Sequence, residues 1–371
     1  AWRRVFRRIA RLICCLVMTG KRVIAAALAG ALALPAAEVP AAYRKTAQRL
    51  INAALEDSVG YSQLAELCDR IGHRLSGSPA LERAVEWSVA QMKNDGLENV
   101  QTIPVKVTHW VRGRERAAIV SPVRHTLTMT GLGGSVATPA DGITAPVVVR
   151  GPGETPDPAR IRGAIVLQGP PNGRNVDPDY VADNAYDSVI VPPKGVPDRN
   201  AAQAFRRGGA NPLEGAAVVI RDSGKPWNLF SIGGVGRYAP SEIPTATISH
   251  EDYSLLYRMA KDYGKPMKMR VNIGGSFSDG PADASITVAQ IKGSEFPDQQ
   301  VIIGGHLDSW YLGQGAVDNG TGAMSVLEAA RILKSLGWQP KRTLTFILFT
   351  GEEEGGVGVA TFLRNHKNEI P

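Results

Sequence analysis

The chain has 371 residues, 43% of them apolar and 21% charged. That is long and apolar enough for two or three domains with real cores, and it excludes a disordered, fibrous or small disulfide-stapled protein. The formal charge of +7 is concentrated near the start, because Arg3, Arg4, Arg7, Arg8, Arg11, Lys21 and Arg22 all precede the first acidic residue, Glu38. Of 42 basic and 35 acidic residues in all, setting those seven aside leaves a neutral remainder, so no nucleic-acid partner is expected.

Residues 1–42 read as an export leader. Lys21 and Arg22 supply a positive start, and Val23 to Leu34 an apolar, Ala-rich run. Small residues and prolines then lead to Ala42, where cleavage fits. Met18 is a candidate start for this leader. The apolar run is shorter than the roughly 20 residues a bilayer span needs. The expectation is therefore a secreted or periplasmic protein with no stable membrane span after signal cleavage. An uncleaved anchor or an N-terminal helix is the alternative reading. Cys14 and Cys15 fall in the leader and only Cys68 follows, so neither an intrachain disulfide nor a thiolate metal site is available beyond it.

Residues 43–121 form the first part of an expected catalytic domain. Tyr43 to about Gly96 is helical, with Leu64, Leu67 and Cys68, then Leu81, Val85 and Val89, at helical spacing. Ser76-Gly77-Ser78-Pro79 is a loop that starts the second of these helices, and Val100–Val107 alternates as a strand. Residues 122–275 change texture to short β runs broken by Gly and Pro: Ala145–Val149, Ala164–Leu167, Ala216–Ile220 and Pro244–Ile248, with a helix expected at Phe205–Ala210. This is a β-rich insert without His, Asp and Glu at ligand spacing. Residues 276–371 return to α/β order. Gln300–Gly304 and Thr343–Thr350 are apolar strands, the second continuous enough for a parallel strand covered on both faces. Helices are expected at Thr321–Leu336 and from Gly355 to His366.

Three clusters stand at the ends of those strands: Gly305-His306-Leu307-Asp308, Asp318-Asn319-Gly320-Thr321-Gly322 and Gly351-Glu352-Glu353-Glu354-Gly355. Strand ends are where α/β folds place sites. Imidazole and carboxylates without thiolate suit Zn²⁺ in a hydrolytic site. Taken singly, each cluster has a plainer reading: a structural histidine, a turn with a helix cap, a solvated acidic loop. Their joint occurrence after two strands argues for a site. His73, His109, His125, His250 and His366 have no neighbouring ligands in sequence and read as structural or solvated.

His-x-Asp, then Asp-Asn-Gly-x-Gly, then Glu-Glu resembles the co-catalytic zinc exopeptidases that include bacterial leucyl aminopeptidases, and within them the carboxypeptidase Q (plasma glutamate carboxypeptidase) subgroup. Gly304–Trp310 (GGHLDSW), Gly313–Ala323 (GQGAVDNGTGA), Pro340–Leu344 (PKRTL) and Thr350–Gly358 (TGEEEGGVG) carry the resemblance. So do Leu67–Pro79 (LCDRIGHRLSGSP), His109–Glu115 (HWVRGRE) and Gly131–Pro139 (GLGGSVATP). It implies a mixed-sheet α/β/α zinc exopeptidase domain interrupted by a β-rich, protease-associated-like insert that covers the site or mediates homodimer contacts. It also implies two zinc ions, with His306 on one, Glu353 on the other and Asp318 bridging. Asp308 would orient the His306 ring, and Glu352 would be the general base that takes a proton from the attacking water. A cis peptide after Asp318 is part of the same pattern, and Glu354 is left as surface.

The resemblance also implies two further ligands, an acidic residue and a histidine. They would lie beyond Pro371, which is 18 residues past Glu353. The expectation is a C-terminally truncated sequence that binds zinc weakly and turns over little. The implied activity is hydrolysis of dipeptides or short peptides in carboxypeptidase Q fashion. An aminopeptidase, a glutaminyl cyclase and a non-catalytic receptor-like ectodomain remain as alternatives.

Overall fold

The computed structural model describes residues 41–56, 58–151, 154, 157–171, 213–230, 232–234 and 242–367. The expected leader up to residue 40 and the expected helix at Phe205–Ala210 lie outside the described residues. The chain divides into two compact units, one ending at residue 57 and one beginning at Ser58. In the first, α1 (Ala41–Leu55) is a helix on which Gln48 Nε2 donates to Asn52 Oδ1 one turn on, at 2.7 Å.

The second unit starts with α2 (Val59–Glu66), which runs into a wider π-type turn at Leu67–Ile71. Next comes α3 (Pro79–Asn94), whose start the Ser-Pro pair dictates. Ser78 Oγ accepts from Leu81 N at 3.3 Å, and Pro79 fills the first turn, where no N–H is needed. Gly96, at φ +73°, ends it where the sequence places a stop.

Four strands form a mixed sheet in the order β1 (Glu98–Val107), β12 (Ala282–Ile291), β14 (Arg342–Phe349), β13 (Phe296–His306). The first two pairings are antiparallel and the last is parallel. Helices α3 and α4 (Thr321–Ser335) bury Leu81, Val85 and Met92, and Met324, Leu327 and Ala330, in one core with Ile286, Val288, Phe346 and Leu348. At about 25 cal/mol per Å² of apolar surface, such a core supplies the main driving force for this sheet. The continuous burial of Phe346–Leu348 fits the parallel-strand reading of Thr343–Thr350.

An eight-stranded sheet has the order β4, β3, β10, β6, β7, β8, β9, β5. Its strands are β3 (Glu115–Ser121), β4 (His125–Leu127), β5 (Met129–Gly131), β6 (Ile143–Arg150), β7 (Ile165–Gln168), β8 (Val218–Asp222), β9 (Thr245–Ile248) and β10 (Lys268–Ile273). The runs read from sequence at 145–149, 164–167, 216–220 and 244–248 fall on β6 to β9. This sheet also takes in β3, which lies ahead of the 122–275 insert read from sequence. Its partner β10, some 150 residues on, fixes it there. A separate core of Ile119, Ile165, Ile220, Ile248, Tyr253 and Met269 covers the sheet. Two short strands, β2 (Trp110–Val111) and β11 (Ser276–Phe277), pair antiparallel beside the crossings between the two sheets.

Candidate active site

Strands β13 and β14 run parallel with His306 in register with Phe349, and Leu307 N–H extends the ladder to Phe349 O at 2.7 Å. The loops that follow both strands therefore leave the same edge of the sheet. Between β13 and α4, a π-type turn at Ala316–Gly320 carries Asp318. The peptide Asp318–Asn319 is cis, as the resemblance implies. Gly315 at φ +65° admits this turn, since a Cβ there would meet Ser309 Oγ at 2.5 Å.

Folding brings together residues 47 positions apart. One ligand atom each from His306, Asp318 and Glu353 lies within 4.8 Å of the others, and among the described residues this is the one such group. His306 Nε2 stands 3.2 Å from Asp318 Oδ1 and 3.8 Å from Glu352 Oε2. All five residues singled out from the sequence, His306, Asp308, Asp318, Glu352 and Glu353, thus fall in one place.

Asp308 is fully buried, and its contacts extend beyond the His306 ring. His306 Nδ1 lies 3.1 Å from the Asp308 carbonyl oxygen and 3.5 Å from its Oδ1. The carboxylate mainly grips the acidic turn: Glu352 N donates to Oδ1 at 3.3 Å, Glu353 N to Oδ2 at 3.2 Å, and Ser76 Oγ to Oδ2 at 3.0 Å. Ser76 Oγ in turn accepts from Gly351 N at 2.8 Å.

Two residues of this arrangement were not singled out from the sequence, Ser76 and Arg74. Arg74, with 0% exposure, donates to four carbonyls: Leu307 at 2.5 Å, and Gly72, Gln314 and Gly315 at 3.0 Å each. It binds the loop after β13 to the loop before α3 without a carboxylate in direct contact. The signal that could have found both is the resemblance of Leu67–Pro79, which flags the segment but not which side chains turn inward.

Electrostatics follow from crowding. Burial alone would push the His306 ring down. The hydrogen bond and charge of Asp308, with the charges of Glu352 and Glu353, override it and hold the imidazole up at about 9. Burial, then the charges of Asp318 and Asp308, push Glu353 up to about 8. Glu354 corrects the surface reading: burial and the charge of Asp308 push it up to about 8 as well, and its Oε2 is buried without a hydrogen-bond partner. His366 stacks on Phe362 and hydrogen-bonds the Phe362 carbonyl at 2.9 Å, away from the ligand group, as its plain reading expects.

One imidazole and two carboxylates converging on a point, with no thiolate, form a donor set suited to Zn²⁺. The raised proton affinities of His306 and Glu353 are what crowded ligands show when no cation offsets their charge.

Residues 287–370 match Peptidase family M28. Carboxypeptidase Q of Bos taurus is 38% identical over 334 residues, covering 88% of this chain and 66% of that protein. Carboxypeptidase Q of Homo sapiens is 36% identical, covering 87% and 65%. The chain thus spans just under two thirds of the length of these relatives. Among solved structures, a Peptidase M28 precursor from Shewanella amazonensis matches with a TM-score of 0.70 at 28% identity, covering 88% of this chain and 71% of that one. A zinc aminopeptidase from Bacillus subtilis shares the fold with a TM-score of 0.55 at 22% identity, over 82% and 64%.

Proposed function

The chain belongs to peptidase family M28, and on that premise we propose that it is a zinc-dependent exopeptidase that hydrolyses dipeptides or short peptides, carboxypeptidase Q-like in specificity. The observation that carries this reading is the convergence of His306, Asp318 and Glu353, with Glu352 facing the same point. In this proposal His306 and Glu353 would each hold one zinc ion, and Asp318 would bridge them. When bound, zinc polarises the peptide carbonyl and lowers the pKa of the attacking water.

The chain's own residues do the rest. Glu352 takes the proton from the attacking water and delivers it to the leaving amine, an exchange its partly exposed carboxylate can make without moving the turn. Asp308 holds both backbone amides of that turn, so the Glu352 and Glu353 carboxylates keep fixed directions. Arg74 fixes the carbonyls of the loop leading to Asp318. The leader at residues 1–42 supports export to the periplasm or the medium, and no described helix is long and apolar enough to cross a membrane. The eight-stranded sheet supports the reading of a protease-associated-like insert.

The test uses the protein expressed from its natural start to its natural stop, loaded with zinc. One dipeptide is offered free, blocked at the N-terminus and blocked at the C-terminus. Loss of cleavage only on C-terminal blocking is the expected result. Loss only on N-terminal blocking would make it an aminopeptidase, and loss in both a dipeptidase. No cleavage of any form would overturn the exopeptidase reading.

A further inference from the structure

Past the end of the β13–β14 ladder the acidic turn has no strand partner, yet three consecutive amides in it are satisfied. Gly351 N donates to Ser76 Oγ at 2.8 Å, Glu352 N to Asp308 Oδ1 at 3.3 Å and Glu353 N to Asp308 Oδ2 at 3.2 Å. Asp308 belongs to the loop after β13. Ser76 belongs to a third segment, the loop before α3, 232 positions earlier than Asp308.

The Ser76 hydroxyl has one proton and two lone pairs, and each has a partner. Both Asp308 oxygens accept backbone N–H groups, so the 3.0 Å bond to Oδ2 takes the Ser76 proton. One lone pair accepts from Gly351 N. Thr350 Oγ1, 3.2 Å away, is then the donor to the other. Ser76, Asp308 and Thr350 each have 0% exposure, so a bond lost here leaves its partner bare. The segment bearing Ser76 is itself clamped: Ser309 N donates to the Arg74 carbonyl at 3.3 Å, and Arg74 N to Ser309 Oγ at 3.3 Å. A hydroxyl held in place, with its proton committed, fixes the rotation of the Asp308 carboxylate and the start of the turn that carries Glu352 and Glu353. Ser88 shows the plainer use of such a group. It is equally buried, and its Oγ bonds the Val85 carbonyl at 2.8 Å and Thr287 Oγ1 at 2.9 Å, inside the helix–sheet core.

We infer that Ser76 is a positioning residue for the metal centre, acting through Asp308 and the Gly351 amide to set where Glu352 and Glu353 stand relative to His306. The inference rests on the zinc reading of the site and adds a segment outside both ligand-bearing loops to what decides its geometry. A purely structural hydroxyl contributes to stability alone. A positioning one also changes how the metal is held.

The experiment uses the natural-length protein and reads the metal without turnover. Zinc affinity is measured by competition with a chromophoric chelator, and ligand geometry by the visible bands of the Co²⁺-loaded protein. Ser76→Ala should lower zinc affinity about tenfold, the lower end of what losing an outer partner of a metal ligand costs, and should shift the Co²⁺ bands. Ser88→Ala, matched in burial, should leave both readouts at wild type. In an Asp308→Asn background Ser76→Ala should cost no more than about twofold further, because the path through Asp308 is already cut. Should Ser76→Ala not fold, Ser76→Cys, which keeps only a weak donor and acceptor, carries the same comparison with a smaller loss. Wild-type affinity and bands in the Ser76 variant, an equal loss in Ser88→Ala, or full additivity with Asp308→Asn would each overturn the proposal while leaving the zinc reading standing. A wild-type protein that binds no zinc would overturn both.

Discussion

Asp308 accepts the backbone N–H of Glu353 on Oδ2 at 3.2 Å, so the residue two places after one candidate ligand fixes the backbone of another 45 positions away. With Glu352 N on Oδ1 and Ser76 Oγ on Oδ2, the buried carboxylate is satisfied on both oxygens. Asp308→Asn keeps the shape but turns one acceptor into a donor facing N–H groups. Zinc affinity should fall about 10- to 100-fold, the usual effect of removing an outer partner of a metal ligand. Competition against a chromophoric chelator checks this, and circular dichroism checks that the fold is kept.

Glu352 is anchored through its backbone, so its carboxylate can be altered without loosening the turn. Glu352→Gln should lower kcat by about 10²- to 10⁴-fold, the range of a lost general base. Zinc content by elemental analysis should be unchanged. A variant with wild-type turnover would remove Glu352 from the base role.

In the metal-free protein His306 and Glu353 hold protons more tightly than in the unfolded chain. His306 rises from 6.5 to about 9, so its stabilising contribution is present below about 6.5 and is lost as pH rises through about 9. Glu353 rises from 4.5 to about 8, so the folded state is increasingly penalised as pH climbs across that interval. Together these changes make the metal-free protein less stable as pH rises from about 4.5 to 9, and both act between about 6.5 and 8. Ligation needs both groups deprotonated, so zinc binding at pH 7 should release protons and tighten with rising pH. Titration calorimetry in buffers of different ionisation enthalpy checks this: the observed heat should depend on the buffer.

Arg74 is fully buried near the site and makes four hydrogen bonds to backbone carbonyls. Arg74→Met would leave four carbonyls, that of Leu307 buried and the other three partly buried, without their charged donor and should destabilise the protein by about 3 kcal/mol. Arg74→Lys should recover only part of this, because an ammonium cannot reach carbonyls spread around a planar fork. Urea unfolding of the metal-free proteins gives the comparison.

Much of this was legible in the sequence where the physics is local. The apolar runs of β13 and β14, the Ser78-Pro79 start of α3 and the clusters at strand ends follow from periodicity, capping and the placement of α/β sites. Non-local choices were not legible. Glu115–Ser121 joins the eight-stranded sheet because of Lys268–Ile273, a partner no local pattern names. Glu352, Glu353 and Glu354 are identical in composition. Only the turn, with Gly351 at φ +75° and Gly355 at φ +107°, decides that Glu354 Oε2 is buried while the Glu352 side chain stays partly exposed. Arg74 and Ser76 reach residues more than 230 positions away, a distance that spacing cannot bridge.

The most direct test of the account is metal dependence of hydrolysis in the natural-length protein. After dialysis against a chelator, zinc is returned stepwise while cleavage of a free dipeptide is followed in wild type and in Glu352→Gln. The expected result is no cleavage without zinc, activity rising with occupancy in wild type, and zinc binding without comparable cleavage in the variant. Hydrolysis by the metal-free protein, or a Glu352→Gln variant as active as wild type, would contradict it.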